Sequence, residues 1–291
     1  MSGLSLGLDV GGTRTRAVLL DAAGAVHGRG EAGGGNPAGH GAQAALVQLS
    51  AAVRDALGAT GRERVTDCLV GLAGYRALPD PQEFADRCRA AFGLRCPVRL
   101  VPDAVPALAA GGVEHGTGTV LIAGTGSVCV GLTDHHVRGQ EGGLGWLLGD
   151  EGSGFWLGRA ALQHALRAPQ DPLGAAVLAH CRATTPTELV CWAYADSPRR
   201  LAALAPLVTR AADRGEAAAL ALTHRAAADL AALARTAARP GEPLVLAGSV
   251  ATAPGPLRTE LLTLLADFAP RLPVTDAATA AARLARLARS S

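Results

Sequence analysis

Leu6-Gly7-Leu8-Asp9-Val10-Gly11-Gly12-Thr13-Arg14-Thr15-Arg16-Ala17-Val18-Leu19-Leu20 reads as an apolar strand, a tight glycine turn and a second apolar strand. The same design returns in Thr119-Val120-Leu121-Ile122-Ala123-Gly124-Thr125-Gly126-Ser127-Val128-Cys129-Val130-Gly131. Glycines let the backbone approach a ligand closely and accept positive φ, and turn N–H groups and hydroxyls offer donors to an anion. One such turn alone is an ordinary hairpin. Two of them, with the acid Asp9 just before the first, read as paired jaws for a phosphate chain.

Working outward, strands are expected at 4–10, 15–21 and 26–31, the last two joined by a turn at 21–24, which makes an antiparallel meander. A glycine-rich loop at 33–37 follows. Leu46, Leu49, Val53 and Leu57 then recur at helical spacing over 42–57. A short strand (68–72), a helix opened by Asp80 (81–91) and another strand (98–101) complete the order of a ribonuclease-H-like unit. The pattern restarts at Gly118. Its second copy adds Ala/Leu helices at 155–166, 172–182 and 199–238, a returning strand at 244–247, and helices at 255–269 and 277–289.

The chain has 291 residues, is 49% hydrophobic and carries a formal charge of +2, enough to bury the cores of two domains. It contains no Lys, so every fixed cation is Arg, the bias of a GC-rich genome. These arginines are scattered, as at Arg283, Arg286 and Arg289, and no basic run is interleaved with aromatics; nucleic acid is not an expected partner. The six cysteines form no C-x-x-C pair and no zinc-spaced group with His. Cys68 and Cys129 sit in apolar runs and read as buried hydrophobes. No stretch approaches the roughly 18 apolar residues of a membrane helix, and no basic region followed by an apolar block suggests a signal peptide. The expectation is a cytoplasmic protein that meets neither membrane nor nucleic acid.

Five segments in order, Asp9 to Thr15, Asn36, Val101 to Ala104, Gly124 to Ser127 with the loop 142–154, and Leu246 to Val250, resemble the sugar kinase, actin and Hsp70 superfamily. Within it the chain is most similar to the N-acetylglucosamine kinases of the BadF/BadG/BcrA/BcrD ATPase group. The run Gly-Leu-Gly-Trp-Leu-Leu-Gly-Asp-Glu-Gly-Ser at 143–153 is its most family-specific part. The resemblance implies an α/β fold of two ribonuclease-H-like (actin-like ATPase) domains with an inter-domain cleft. Residues 1–113, joined by the C-terminal helix 276–291, would form the first domain and 114–275 the second. It also implies ATP and Mg²⁺ as cofactors, an amino sugar phosphorylated at its C6 hydroxyl, and a homodimer.

Under that resemblance Asp9 holds Mg²⁺ through water, because that ion keeps much of its hydration shell. Gly11, Gly12, Thr13 and Arg14 contact the terminal phosphates from one turn, and Gly124, Thr125 and Gly126 from the other. Gly248 and Ser249 receive the adenosine, where small residues let the base lie against backbone. Asp103 follows a strand and precedes a helix. By residue type it is an N-cap; by its place at the sheet's carboxyl edge and by resemblance it is the general base for the sugar hydroxyl. Asn36 is by type a turn residue and by resemblance a sugar contact. Ser127, Gly142, Gly143 and Asp150 complete the sugar set. Acids between glycines just before a helix, Asp150 and Glu151, also suit a helix cap. Trp146 offers a ring to stack on a sugar, whereas Phe155 and Trp156 suit the core. Val128 takes the place of an Asn found in some animal relatives, which admits glucosamine, or a broader set of hexoses, as the acceptor. An activator of a radical dehydratase shares the fold but needs cluster-binding cysteines, and Cys129 lies in a strand. A non-catalytic nucleotide sensor is opposed by the joint presence of Asp9, Asp103 and Asp150.

Overall fold

A computed structural model describes residues 3–287. It divides into two compact units, Met1–Gly116 with Asp134–His136 and Pro273–Ser291, and Thr117–Thr133 with Val137–Leu272.

Unit 1 opens with β1 (Leu4–Val10), β2 (Arg14–Leu20) and β3 (Val26–Gly33). The one-turn helix α1 (Pro37–His40), α2 (Ala42–Leu57), β4 (Val65–Leu72), α3 (Pro81–Phe92), β5 (Val98–Pro102) and α4 (Ala104–Ala110) follow. The sheet order is β3-β2-β1-β4-β5, with β1 antiparallel to β2 and parallel to β4, and β4 parallel to β5. This is the ribonuclease-H-like order. Pleating sends Leu4, Leu6, Leu8 and Val10 into one core with Leu49 and Val53 of α2 and Phe84 of α3. Asp80 caps α3 as its type predicts, accepting from Gln82 N and Glu83 N.

The opposite face of β1 meets the C-terminal helix, Ala277–Leu287; the expected end at Arg289 lies outside the described residues. Ala278, Ala281, Ala282 and Ala285 are buried on this helix. Its backbone lies so close that a Cβ on Gly7 would stand 2.1 Å from Ala282 N and 2.2 Å from Ala278 O. Backbone cannot yield as a side chain can. Gly7→Ala is therefore expected to destabilise the protein by about 1–3 kcal/mol or more, read as a lowered midpoint in thermal or urea unfolding. A midpoint equal to the parent's would refute this packing.

Unit 2 repeats the plan with β6 (Gly118–Ala123), β7 (Ser127–Thr133), β8 (His136–Gly142) and β9 (Leu244–Ala247) in the order β8-β7-β6-β9. Helices α5 (Gly154–Arg167), α6 (Pro172–Cys181), α7 (Pro186–Tyr194), α8 (Ala205–Asp213) and α9 (Ala217–Ala237) precede β9. The one-turn helix α10 (Ser249–Thr252) and α11 (Pro256–Leu264) follow it. Leu121, Cys129, Phe155, Leu157, Leu230 and Leu246 share its core. In place of a fifth strand there is one parallel bridge, Val245 with Arg271. Pro270 and Pro273 flank that segment, and proline cannot donate to a ladder.

The single helix expected over 199–238 is three elements: a 3₁₀ segment (Pro198–Leu204), α8 and α9. Gly215, at φ +79°, turns the chain. Glu216 N donates to Ala211 O and Gly215 N to Ala212 O, the paired bonds of a Schellman stop. Likewise the segment 255–269 closes as α11 plus a short 3₁₀ turn (Ala266–Phe268).

Candidate functional site

In unit 1 the carboxyl edge of the parallel strands gathers the chemistry. Asp9 ends β1 and Asp103 follows β5 directly. Asp103 has helical φ/ψ of −56°/−24° and makes no side-chain capping bond, so the capping role that its residue type suggests is not the one it fills. Burial pushes its carboxyl up to about 7, the negative charge of Asp9 pushes the same way, and the Ala104 amide opposes them. A carboxyl poised there is matched to a base working near neutrality.

Burial likewise raises the Asp9 carboxyl; Arg16 opposes that rise, and the charge of Asp276 adds to it. Arg16 Nη1 lies 3.7 Å from Asp9 Oδ2, with 26% of the Asp9 side chain exposed. Asp276 was not singled out in the sequence. It caps the C-terminal helix through Thr279 and pairs with Arg29 at 3.0 Å. Among the described residues no group of three or more His, Cys, Asp or Glu is arranged to hold a metal ion. One oxygen-bearing carboxylate whose burial a cation would offset fits Mg²⁺, which takes one or two carboxylates with phosphates and water rather than a protein cage.

The first turn is closed by Gly11 N donating to Arg14 O at 2.8 Å, and Gly11 O accepts from Gly35 N. His40 Nε2 sits 2.8 Å from Gly12 O, a buttress that nothing in the sequence signals. Arg14, expected at the phosphates, has its guanidinium on Glu31 at 2.9 Å; its carbonyl is what shapes the turn. Asn36 caps α1, its Oδ1 accepting from Ala38 N at 2.9 Å. The cap leaves its Nδ2 as a donor held in a fixed direction. Gly74 makes room for it, since a Cβ there would meet Asn36 Oδ1 at 2.2 Å.

In unit 2 the turn Gly124-Thr125-Gly126 is closed by Gly124 N donating to Gly126 O at 2.9 Å. The expectation that the turn glycines serve positive φ is corrected: Gly11, Gly12, Gly124 and Gly126 are not among the left-handed residues. Nor does packing explain all four. A Cβ on Gly12 or Gly124 would meet nothing within 4 Å. What the missing side chains leave is open space over backbone at both turns. Gly126 differs, because its Cβ would stand 2.6 Å from Asp150 Oδ1.

Gly248 needs its glycine twice over. Its φ is +83°, and a Cβ would meet Ala123 O at 2.3 Å. It opens α10, with Ser249 exposed at the helix's first position. In the loop after β8, Gly142, Gly143, Gly145 and Gly152 are left-handed, and so is Asp150 at φ +65°. Asp150 is 9% exposed and Ser127 3%. Asp150 Oδ1 accepts from Ser127 N at 3.0 Å, and Ser127 Oγ donates to Glu151 O at 2.8 Å. The cap of α5 is Ser153, accepting from Trp156 N, and neither of the acids before it. Leu144, Leu147 and Leu148 are exposed on this loop. Trp146 is half-exposed, its ring centroid 5.9 Å from that of Phe155, which is buried as expected. Cys129 is a core residue whose thiol burial pushes up to about 12, far from the thiolate a metal cluster requires. No helix among the described residues is long and apolar enough to cross a membrane.

Two glycine turns with open space above the backbone, each on a ribonuclease-H-like sheet with an acid at its carboxyl edge in unit 1, define a nucleotide-binding protein of the actin-like ATPase fold. The chain belongs to the BadF/BadG/BcrA/BcrD ATPase family, whose profile matches residues 6–263. It is 29% identical over 230 residues to the N-acetyl-D-glucosamine kinase of Dictyostelium discoideum, covering 72% of each protein. It is 35% identical over 121 residues to the N-acetylmuramic acid/N-acetylglucosamine kinase of Clostridium acetobutylicum, or 41% of this chain and 39% of that one. Among solved structures, a candidate N-acetylglucosamine kinase from Chromobacterium violaceum matches with a TM-score of 0.73 and 29% identity. That match covers 97% of this chain and 99% of the other.

Proposed function

We infer that this protein is an ATP-dependent sugar kinase that transfers the γ-phosphate to the C6 hydroxyl of an amino sugar, with N-acetylglucosamine as the acceptor. The observation that carries the reading is the pair of glycine turns at Gly12 and Gly124, where neither backbone conformation nor packing calls for glycine. A phosphate chain lying against the backbone does call for it. The kinase names of the relatives support the acceptor class.

Phosphoryl transfer asks a protein chiefly for positioning and charge neutralisation. Asp103 takes the proton of the attacking hydroxyl. Gly11, Gly12, Thr13 and Arg14 in unit 1, and Gly124, Thr125 and Gly126 in unit 2, line the phosphates. Gly248 and Ser249 flank the adenosine. Asp9 would hold Mg²⁺, and the ion would supply neutralisation of the phosphate charge. Asn36 donates through Nδ2 to the sugar, and Ser127, Gly142, Gly143 and Asp150 form the other part of its surroundings. The setting is the cytoplasm and the working form a homodimer.

The test is ADP release, coupled to an absorbance readout, with ATP and Mg²⁺ over a panel of hexoses and hexosamines. Turnover dependent on N-acetylglucosamine, with the 6-phosphate as product, is the expected result. ADP release that no sugar stimulates would overturn the kinase reading.

A further inference from the structure

The glycine turn of unit 2 and the loop that follows β8 are fastened along their length. Gly124 O accepts from Gly154 N at 2.8 Å and Thr125 O from Phe155 N at 3.0 Å. Ser127 O accepts from Gly143 N at 2.9 Å. Ser127 N donates to Asp150 Oδ1 and Ser127 Oγ to Glu151 O. The Asp150 carboxylate also lies over Gly126, in the space a Cβ would need. Asp150 reaches this position only by taking a left-handed φ of +65°, which costs a residue with a Cβ free energy that the surroundings must supply.

We propose that Asp150 is a positioning residue that locks the phosphate turn 124–127 to the acceptor loop 143–153, so that one rigid piece answers to both substrates. The proposal rests on the kinase reading for what the turn and the loop bind. It adds to that reading the bond that Asp150 Oδ1 accepts from the Ser127 amide. The buried carboxylate accepts a charge-assisted bond from that amide, among the stronger hydrogen bonds available to a protein. Removing it leaves the turn held to the loop only by the backbone bonds and by Ser127 Oγ, and the loosened turn binds nucleotide less tightly even with no sugar present. A residue that only bound sugar would leave nucleotide affinity untouched.

Two variants separate these roles. Asp150→Gly removes the carboxylate yet accepts the left-handed φ without strain. Asp150→Asn keeps an acceptor oxygen for Ser127 N and tolerates that φ as well. Titration with a non-hydrolysable ATP analogue and Mg²⁺, without sugar, is expected to show nucleotide affinity lowered about tenfold in Asp150→Gly, the loss set by one charge-assisted bond. Affinity within about twofold of the parent's is expected in Asp150→Asn. The KM for ATP should follow the same order. Equal nucleotide affinity in parent and Asp150→Gly overturns the proposal, while sugar-dependent ADP release by the parent leaves the kinase reading standing. Amide exchange on the parent itself gives a check that needs no variant. Nucleotide alone should slow exchange across 143–155, and protection confined to the turn would equally overturn it.

Discussion

Asp103→Asn is expected to bind sugar and nucleotide with near-parental affinity and to lose about 10²–10⁴-fold in kcat, the usual worth of a positioned general base. The substitution keeps size and polarity while removing the proton acceptor, so the loss falls on the chemical step. The pH dependence gives an independent reading. A base at Asp103 would work only when ionised, and burial with the Asp9 charge pushes its carboxyl up to about 7. The kcat/KM of the parent should therefore fall as pH drops through 7, and that limb should vanish in Asp103→Asn.

Stability must move the opposite way. A folded-state carboxyl raised from 3.8 to about 7 holds a proton that the unfolded chain has already released. The resulting stabilisation is present below the unfolded value and is lost as pH rises through the folded one. Asn carries no such charge, so the melting temperature of the variant should exceed the parent's by more at pH 8 than at pH 5. Near-parental turnover with no change in the pH profile would remove Asp103 from the chemistry.

What could be read from the sequence was what local pattern determines. The two hairpins, the Asp80 cap and the strand–Asp103–helix junction each lie within a few consecutive residues, and the structure builds them where the pattern put them. The break at Gly215 was missed because the Ala/Leu periodicity runs on through it, although Arg214-Gly215-Glu216 carries a helix stop. The single bridge from Val245 to Arg271 was not foreseen, because Arg271-Leu272 between two prolines is too short to show a strand pattern.

Within the site, residue types were legible and partnerships were not. His40 reaches Gly12 from 28 residues away, Asp150 reaches Ser127 from 23, and Asp276 acts on Asp9 from near the other end of the chain. No periodicity reports such contacts, because tertiary packing creates them. The same blindness affects role. Ser127 and Asp150 looked like two independent hydroxyl and carboxylate contacts for a sugar, yet each is hydrogen-bonded to the other's segment.

These bonds leave the expected substrate selectivity in place. The kcat/KM for N-acetylglucosamine should exceed that for glucose by about 5–150-fold, the range that about 1–3 kcal/mol of unmet hydrogen bonding produces. Ser127 Oγ donates to Glu151 O and Asn36 Oδ1 accepts from Ala38 N, so on the proposed assignment the donor that discriminates would be Asn36 Nδ2. A 2-acetamido group supplies a carbonyl for such a donor; the 2-hydroxyl of glucose is a poorer and shorter match. Val128, with Cγ2 3.1 Å from where a Cβ of Gly143 would stand, gives the 143–153 loop of unit 2 a methyl-bearing neighbour where an Asn would offer an amide. Glucosamine lacks the acetamido carbonyl and should fall below N-acetylglucosamine. Asn36→Ala would confound the measurement by uncapping α1, so the cleaner variant is Asn36→Asp, which keeps the capping oxygen and replaces the donor by a second acceptor. It is expected to erase most of the preference for N-acetylglucosamine while leaving the KM for ATP near the parent's. If glucose matches both amino sugars in the parent under one set of conditions, the Asn36 assignment fails and only a broad hexokinase remains.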